Sequence, residues 1–562
     1  MNERALPPGG GAGATGIEPA QEERQTEPDL IDPTPCLRVD PERLKEAITF
    51  AFAAGGAGRA FDELFGSAQM PDSGWAGDCY ADELFIDDLL SACLKLRIAN
   101  RERRVQRGYL KRLLTAPPRD VGIVRFRQRI IQELTETQSL RAAAERSWTN
   151  IQDLRTLFES VDAGKRLDAV QRRLDILRAV RDTIEQLERD FAASRSGLAR
   201  LCAFAESVKT SAGYRKLCSL LDYEENLATV GLEVRVGYDG QLRGFEILHD
   251  RQNRLNPFYV SPIGRWLNRL RLWARGYRFR EAELMGRLVD GVFDEVQDAT
   301  AWLLQLGCDL EFYLTACSFR DFARTKGLEV SLPELVTPPG DLELVDLFNP
   351  FLLLEDRAPR PCRLKPEPSA LVIITGPNSG GKTRLLQAIG LTQLLGQCGF
   401  LVPARRARLA LRSGLFVSLG REATAEEREG RLGVELSRIR RLFERLSCDS
   451  LVILDELCSG TNPSEGEEIF ELVVSLLSEV DPQAYITTHF LEFAARLERE
   501  RPVRSMSFLR VELDAADNPT YGFVPGVART SLARKTAERL GVTREALVGL
   551  VERAKREQGE RG

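Results

Sequence analysis

A short apolar run, a glycine-rich loop and a helical segment follow one another between residues 371 and 395, and this succession strongly constrains the fold. The apolar run that begins at Leu371 is bounded by Gly and Pro and is too short for a helix, so it predicts a buried parallel strand. Residues 376–383 then match the pattern G-x-x-x-x-G-K-[ST], and residues 385–395 have helical character. The sequence therefore predicts an α/β domain with a mostly parallel sheet and a phosphate-binding loop.

Each residue type in this loop has a chemical role toward a nucleotide. Gly376, Gly380 and Gly381 let the backbone turn so that successive N–H groups face phosphate oxygens. The helix that follows adds the positive end of its dipole. Lys382 supplies a positive charge for the β- and γ-phosphates, and the Thr383 hydroxyl can ligate Mg²⁺. The remaining members of the candidate nucleotide-binding segment are Pro377, Asn378 and Ser379.

Two further apolar runs end in polar side chains that extend the candidate site. The run from Ser450 leads to the adjacent acids Asp455 and Glu456, and such paired carboxylates are costly to bury unless a cation lies there. We expect Asp455 to hold Mg²⁺ through water and Glu456 to orient or deprotonate the attacking water. The run from Ala484 ends at His489, which could touch the γ-phosphate or that water. Solvated acids at an ordinary strand end, and a structural histidine, are the alternatives.

The first 340 residues predict a helical region with one β insertion. Residues 1–35 are rich in Pro, Gly and charged side chains, so we expect them to be disordered. Apolar spacing over residues 163–191 predicts a long amphipathic helix, which could instead pair with another chain as a coiled coil. Alternating residues on both sides of a turn predict a β-hairpin near 227–250. The proline-rich stretch over 333–368 contains the expected domain boundary.

Composition narrows the class of protein and its compartment. Hydrophobic residues make up 43% and charged residues 29% of the 562, which is typical of a soluble globular chain. We find no apolar run long enough to span a bilayer and therefore expect no membrane partner. The eleven cysteines form no CxxC pair, which predicts reduced thiols and a cytoplasmic protein. The net charge of −5 argues against indiscriminate nucleic-acid binding.

Two segments are nevertheless locally basic and could contact DNA phosphates. The second, residues 265–280, interleaves arginines with Trp266 and Trp273, and aromatic rings can stack on exposed bases. In the alternative, the tryptophans belong to the core and the arginines form a solvated face. The basic residues of the first segment are Arg101, Arg103, Arg104, Arg107, Lys111, Arg112, Arg119, Arg125, Arg127 and Arg129.

These motifs resemble those of the MutS family of DNA mismatch-repair ATPases. Residues 375–383 (TGPNSGGKT) are similar to the family's TGPNxGGKS/T, and residues 399–404 resemble its G-x-x-V-P-A. Residues 455–466 resemble the family's DE-x-x-x-GT-x-x-x-x-G, and residues 487–490 resemble its TH-[YF]. The motifs occur in the family's order and spacing. Residues 108–130 also resemble the start of the family's helical core domain, and residues 306–314 resemble, more weakly, the helix that re-enters that core.

The resemblance implies a domain order and a function. It implies a helical core and lever domain over 36–340, an ABC-type P-loop ATPase domain over 341–530 and a helical dimerisation segment over 531–562. It further implies a homodimer that binds ATP and Mg²⁺ and completes each site across the subunit interface. ATP binding would close a clamp around double-stranded, mismatched or branched DNA, in mismatch repair or control of recombination.

Other functions stay open, because the sequence departs from the family pattern in several places. Before the core there is no room for mismatch-reading and connector domains, no Phe-x-Glu wedge is found, and the hairpin is too short for a full DNA clamp. Gly430 occupies the place of the signature serine, so only a backbone N–H would reach the partner's γ-phosphate. A MutS2-like ATPase acting on stalled ribosomes is the second hypothesis, although the nuclease-like domain of that branch is missing. A transporter-type or SMC-like ATPase is third, since no LSGGQ precedes Asp455.

Overall fold

The computed structural model describes residues 26–559 except 161–165, 225–227, 237–241, 253–279, 338–341, 357, 368–369, 420–429, 458–461, 502–504 and 530–541. The described part before residue 340 is mainly helical, and the part after it is built around two β-sheets. Within the described residues, no helix has the length and apolarity needed to cross a bilayer.

Ten helices are described before residue 340. Helix α1 begins where Asp40 accepts hydrogen bonds from the N–H groups of Glu42 and Arg43, with Pro41 at the first helical position. The bounds are α1 Pro41–Ala54, α2 Gly58–Gly66, α3 Ile86–Asp88, α4 Arg107–Thr115, α5 Val121–Glu136, α6 Gln138–Glu159, α7 Arg166–Phe191, α8 Ala199–Thr210, α9 Ala212–Glu224 and α10 Arg280–Thr325.

The long amphipathic helix predicted over 163–191 is present as α7. Its apolar stripe, which includes Leu177, Val180 and Ile184, is completely buried within the chain. Helix α7 packs against α6, α8 and α10. Its apolar side is therefore covered by neighbouring helices of the same chain, which favours that interpretation over a coiled coil with a second chain.

The predicted hairpin is also present, as strands β3 (Ala228–Val236) and β4 (Leu242–Gln252), which pair antiparallel. A shorter pair, β1 (Arg97–Ile98) and β2 (Arg101–Glu102), lies between α3 and α4. The helical region that was expected around the β3–β4 insertion continues after it with the 46-residue helix α10, described from Arg280 onward.

The prediction that residues 1–35 are disordered is wrong for residues 26–35. Leu30 and Ile31 are completely buried. The Asp29 carboxylate pairs with Arg38 at 2.6 Å, and the Tyr313 hydroxyl donates a hydrogen bond to the carbonyl of Leu30. The prediction rested on the composition of the whole segment, which is polar on average. It therefore missed two apolar residues and one buried ion pair, which together hold residues 26–35 against α10. Residues 1–25 lie outside the described part.

The second half contains a six-stranded sheet in the order β10-β11-β12-β8-β13-β14. All neighbours pair parallel except β13 and β14, so the predicted mostly parallel sheet is confirmed. The bounds are β8 Leu371–Thr375, β10 Gly414–Ser418, β11 Ser450–Leu454, β12 Gln483–Thr487, β13 Met506–Leu513 and β14 Pro519–Pro525. The helices here are α11 Lys382–Gln397, α12 Gly430–Arg445, α13 Pro463–Val480, α14 Leu491–Glu500 and α15 Arg544–Gly559.

A smaller sheet, in the order β5-β9-β6-β7, lies beside the first. Its strands are β5 Glu334–Val336, β6 Glu343–Leu347, β7 Cys362–Leu364 and β9 Arg406–Ala410, and a 3₁₀ helix, Pro350–Leu354, follows β6. Strand β5 precedes the predicted boundary at 340/341 and yet pairs with β9. The proline-rich stretch thus contributes strands to this sheet, and the exact boundary stays a prediction.

The core of the protein runs without a break from the helical half into the large sheet. One face of that sheet, which includes Ile374, Ile453 and Tyr485, belongs to the same apolar cluster as the helices before residue 340. The opposite face packs against Phe470 and Phe493 of α13 and α14. Helix α11 is buried at every residue from Leu385 to Gln397. The phosphate loop therefore lies between a rigid strand and a completely packed helix.

Candidate active site

The glycine-rich loop connects β8 to α11 at the carboxyl edge of the sheet. Gly376, Ser379 and Gly381 have φ angles of +146°, +66° and +88°, the region that favours glycine. A side chain at Gly376 or Gly380 would also collide with Val511 of β13, at 2.6 and 2.9 Å respectively. The backbone conformation of the loop therefore depends on these glycines.

Lys382, the first residue of α11, lies in the loop that it closes. Its side chain is only 5% exposed, and Nζ donates hydrogen bonds to the carbonyls of Gly376 (3.1 Å) and Pro377 (3.2 Å). Nζ is also 4.0 Å from Oε1 of Glu456. Burial lowers the pKa of Lys382, while the carboxylates of Glu456 and Asp455 oppose that shift. A cation in this position faces whatever anion the loop accepts.

Asp455 joins the loop to two neighbouring strands. The Thr383 hydroxyl donates to Oδ2 of Asp455 at 2.5 Å, and the Thr487 hydroxyl donates to Oδ1. Burial raises the pKa of Asp455, and both hydroxyls counteract that rise by stabilising the charged form. Strands β8, β11 and β12 are parallel neighbours, so their carboxyl ends meet here. Thr383 and Asp455, each named separately as a candidate magnesium ligand, are thus in direct contact.

Glu456 stands beside this pair in a strained backbone conformation. Its φ is +50°, and its N–H donates to the Thr487 hydroxyl at 2.8 Å. The carboxylate is about one-third exposed and faces Lys382. Non-glycine residues at positive φ are costly and concentrate at functional sites. Thr487 holds both acids in position, and sequence reasoning assigned it no individual role. The sequence feature that could have indicated this role is its position at the end of a strand adjacent to β11.

His489 follows β12 by two residues and lies near the same edge of the sheet. Its side chain is exposed, and its ring packs on that of Phe490, with centroids 4.2 Å apart. Within the described part of the chain, the imidazole makes no hydrogen bond to the loop or to the two acids. The structure thus brings together the loop, Asp455 and Glu456, whereas the role of His489 stays a prediction.

A cavity of about 750 Å³ opens from the phosphate loop toward the smaller sheet. The loop with Lys382, Thr383 and Glu456 forms the polar part of its lining. Many of the other lining side chains are apolar, and sequence reasoning missed them because they come from segments far apart in the chain. These side chains are Phe348, Leu352, Pro359, Cys362, Leu385, Tyr521 and Phe523. The polar part of the lining therefore suits phosphates, and the apolar part suits an uncharged ring system.

The oxygen atoms around Asp455 fit the ligand preferences of Mg²⁺. A threonine hydroxyl and a carboxylate oxygen lie side by side at the loop, and magnesium sites commonly combine one or two protein oxygens with phosphate and water. Lys382 lies close enough to share an anion with such an ion. These residues fit a magnesium–nucleotide complex.

The DNA-contact prediction for residues 95–129 needs one correction. Arg127 is completely buried, where its Nε donates to the Ile31 carbonyl (2.9 Å) and Nη1 to the Cys398 carbonyl (3.0 Å). It lies on the apolar side of α5 and cannot reach a ligand from there. The other arginines named in this segment are exposed. Residues 265–279 lie outside the described part, so the second basic segment is not located, and neither are the residues just before Gly430.

Comparison with known proteins agrees with this geometry. Residues 372–557 match the family described as MutS domain V. The chain is 34% identical over 209 residues to Endonuclease MutS2 of Thermus thermophilus. This alignment covers 37% of the chain and 28% of that protein. It is 30% identical over 326 residues to Endonuclease MutS2 of Streptococcus mutans, with coverages of 56% and 39%.

Endonuclease MutS2 of Alkaliphilus metalliredigens is 32% identical over 315 residues, with coverages of 55% and 38%. The matched part of the chain thus spans less than two-fifths of the length of these relatives. The matches cover the loop, the acid pair and the strand that carries Thr487. The match to MutS domain V and the similarity to these MutS2 proteins therefore support a MutS-family protein with MutS2-like features.

Proposed function

We propose that the chain is a Mg²⁺-dependent ATPase of the MutS type that binds DNA. One observation carries the proposal. The Thr383 hydroxyl contacts Asp455 directly, beside Lys382 and Glu456, at the mouth of a cavity large enough for a nucleotide. An ordinary strand end with solvated acids does not explain a buried lysine beside a direct threonine–aspartate contact in one place. MutS domain V, which the chain contains, is a P-loop ATPase domain.

The residues divide the work of hydrolysis. Backbone N–H groups at the start of α11, together with Lys382, would bind the β- and γ-phosphates, and Lys382 would exchange its two carbonyl partners for phosphate oxygens. Thr383 and Asp455 would hold Mg²⁺, which neutralises phosphate charge when bound. Glu456 would orient the attacking water and accept its proton. The exposed His489 is proposed to approach the γ-phosphate from the end of β12.

Substitution at the site tests this division. We expect Lys382→Ala to lower the ATP hydrolysis rate at least about 100-fold, because the transferred phosphoryl group loses its contact with the positive charge of the lysine.

Glu456→Ala should also lower the rate about 100-fold or more while ATP still binds. Lys365 and Glu367, which are exposed and do not line the cavity, supply matched controls. Hydrolysis by Lys382→Ala at the wild-type rate would contradict the assignment of the loop.

We further propose that two copies act together as an ATP-gated clamp, in mismatch repair or in control of recombination. The support is the family of the ATPase domain and the continuous core that joins the sheet to the helical half. Movement at the nucleotide could therefore be passed to the helices. Glu456→Ala should accumulate an ATP-dependent dimer, which analytical ultracentrifugation would detect as a doubled mass.

A second candidate function is favoured by the similarity to MutS2 proteins: action on stalled ribosomes as a MutS2-like ATPase. The two candidates differ in the ligand that should stimulate hydrolysis. ATPase rates with homoduplex, mismatched and junction DNA, compared with rates on added ribosomes, would separate them. Stimulation by ribosomes alone, with ATP-dependent co-sedimentation, would contradict the DNA proposal. The predicted cytoplasmic location is compatible with both candidates.

A further inference from the structure

One segment of the helical half, residues 75–84, contacts the edge strand β10 of the large sheet. Trp75 donates a hydrogen bond from its indole to the carbonyl of Arg412, just before β10, at 2.8 Å. Beyond the other end of the strand, Glu83 accepts a hydrogen bond from the N–H of Leu419 at 2.9 Å. The segment therefore holds β10 at both ends, where an edge strand otherwise presents unpaired backbone groups.

The same segment is anchored in the core beside the helix that follows the phosphate loop. Leu84 is completely buried, and a side-chain carbon added at Gly390 of α11 would lie 2.9 Å from its Cδ2 atom. The same added carbon would lie 3.2 Å from Cδ1 of Ile453, on β11. Leu84 therefore packs on α11 where that helix carries no side chain, and it fixes the position of the neighbouring Glu83 relative to the sheet.

Glu83 is mostly buried and contacts two elements of the second half with one carboxylate. Its side chain is only 14% exposed. Oε2 is the atom that accepts from Leu419, while Oε1 is 3.3 Å from Nη2 of Arg438, on α12. Nη1 of Arg438 donates in turn to the Ser418 hydroxyl at 3.5 Å. Because both of its oxygens are engaged, this carboxylate holds the end of β10 and α12 in one arrangement.

The end of β10 also holds the backbone of the candidate metal ligand. The N–H of Asp455 donates a hydrogen bond to the carbonyl of Ser418 at 2.8 Å, which continues the parallel β10–β11 pairing. The carbonyl of Ser418 and the N–H of Leu419 belong to the same peptide group, which is planar and rigid. One peptide group therefore lies between Glu83 and Asp455, with its N–H on the first and its carbonyl on the second.

We propose that Glu83 is a positioning residue for Asp455 and acts through this peptide group. The inference rests on the proposed ATPase function, in which Asp455 is a ligand of Mg²⁺. A planar group that is fixed at its N–H cannot turn its carbonyl away, so the backbone of Asp455 stays where its side chain meets Thr383. The helical half thus contributes directly to the geometry of the nucleotide site, through a residue far from the site in the sequence.

Hydrogen exchange in the nucleotide-free full chain tests this path without any need for activity. Glu83→Ala removes the acceptor, so we expect the amides of Leu419 and Asp455 to exchange about 10-fold faster, measured by mass spectrometry of overlapping peptides. Glu83→Gln keeps an oxygen that can accept from Leu419, and both amides should exchange as in the wild type. The exposed neighbour Asp82 supplies a matched control, since Asp82→Asn should change neither amide.

The Mg²⁺ dependence of ATP hydrolysis supplies a second measurement. Loss of an outer partner of a metal ligand weakens the site, so Glu83→Ala should need roughly 10-fold more Mg²⁺ for half-maximal hydrolysis. Glu83→Gln should keep the Mg²⁺ requirement of the wild type, and a residue that only stabilised the fold would not change it. Thermal unfolding checks that Glu83→Ala is folded. If it is not, Glu83→Met, which keeps the length of the side chain without an acceptor, replaces it with the same expectations.

Three results would overturn the inference. The first is unchanged exchange of the Asp455 amide in Glu83→Ala, and the second is an unchanged Mg²⁺ requirement in that variant. The third is an equal loss in Glu83→Gln, where the hydrogen bond from Leu419 can still form. A wild-type chain that hydrolyses no ATP would instead contradict the proposed function. The exchange measurement needs no nucleotide, so the two failures are distinguishable.

Discussion

At the scale of single residues, Asp455 shows how function and stability oppose each other. Its carboxylate is held by the hydroxyls of Thr383 and Thr487, yet burial still raises its pKa. Because the folded chain favours the protonated acid, the ionised form costs stability at neutral pH. That cost is acceptable if the carboxylate must be charged to hold a metal ion.

We therefore expect Asp455→Asn to raise the thermal midpoint of the nucleotide-free protein at neutral pH and to abolish ATP hydrolysis. The amide oxygen can still accept one of the two hydroxyl donors, while the buried charge is gone. The gain should shrink as the pH falls, since protonation of Asp455 removes the same charge from the wild type. Differential scanning fluorimetry across pH would measure it, and a lower midpoint for Asp455→Asn at neutral pH would contradict it.

Sequence reasoning found most of the site at this scale, and its omissions have a common cause. Lys382 and Asp455 carry charges or motif positions that stand out along the chain. Thr487 is an ordinary residue type whose importance comes from a neighbour distant in sequence, Asp455, which follows β11. The burial of Arg127 was missed for the same reason. A charged side chain on a helix is expected to be exposed, and the acceptors that hold Arg127 are distant in sequence.

At the scale of elements, helix α10 is fastened to the helical half by a buried acid. Glu311 is 1% exposed and accepts hydrogen bonds from the backbone N–H of Gln106 (2.7 Å) and from the Trp148 indole (3.3 Å). Gln152 donates a third at 3.4 Å. These donors belong to α6 and to the residue before α4, so one carboxylate connects three parts of the helical half. Burial raises the pKa of Glu311 to about 8.

The raised pKa predicts how stability depends on pH. Glu311 keeps its proton in the folded chain and loses it in the unfolded one, so its stabilising contribution is complete below its unfolded pKa and is lost as the pH rises toward 8. The slope from this group is at most roughly 1.4 kcal/mol per pH unit. Glu311→Gln should flatten the decline in urea midpoint between about pH 4.5 and about pH 8. The exposed Glu42→Gln serves as control, and an unchanged slope in Glu311→Gln would contradict the prediction.

Arg127 connects three elements that are distant in sequence. Its two carbonyl acceptors belong to the buried N-terminal segment and to the residue that ends α11. We expect Arg127→Met to lower the free energy of unfolding by roughly 2–4 kcal/mol, because both buried carbonyls lose their donor. Substitution of the exposed Arg125 or Arg129 on the same helix should change it by less than about 0.5 kcal/mol. Equal effects from all three would place Arg127 at the surface.

The elements themselves were largely predictable, with one instructive error. Helix α7, the β3–β4 hairpin and the three strands that end at the site each carry a local pattern that matches their structure. The segment over 26–35 carries none, because two apolar residues and one aspartate become ordered only through Arg38 and Tyr313. The sheet order also had no local signal, since β13 lies beside β8 although they are far apart in the chain.

At the scale of the whole molecule, the continuous core predicts that both halves unfold together. All five tryptophans lie before residue 340, whereas the nucleotide site lies after it. Tryptophan fluorescence therefore reports on residues of the helical half, one of which, Trp75, also donates a hydrogen bond from its indole to the carbonyl of Arg412 at 2.8 Å. ATP with Mg²⁺ at about 100 times its dissociation constant should stabilise the chain by about 2.7 kcal/mol. The fluorescence transition should shift as far as the far-ultraviolet circular dichroism transition, and a fluorescence midpoint that ignores the nucleotide would show two independent units.

The burial of helix α11 from Leu385 to Gln397 has a mechanical consequence. An element with no free side cannot bend or slide without displacing its surroundings, since packed interiors yield little. A displacement of its first turn on binding of a γ-phosphate would therefore move the whole helix along its axis. The displacement would reach Cys398, whose carbonyl accepts a hydrogen bond from the Arg127 guanidinium. Backbone amides of α11 should be among the slowest in the protein to exchange with deuterium, whether or not nucleotide is bound.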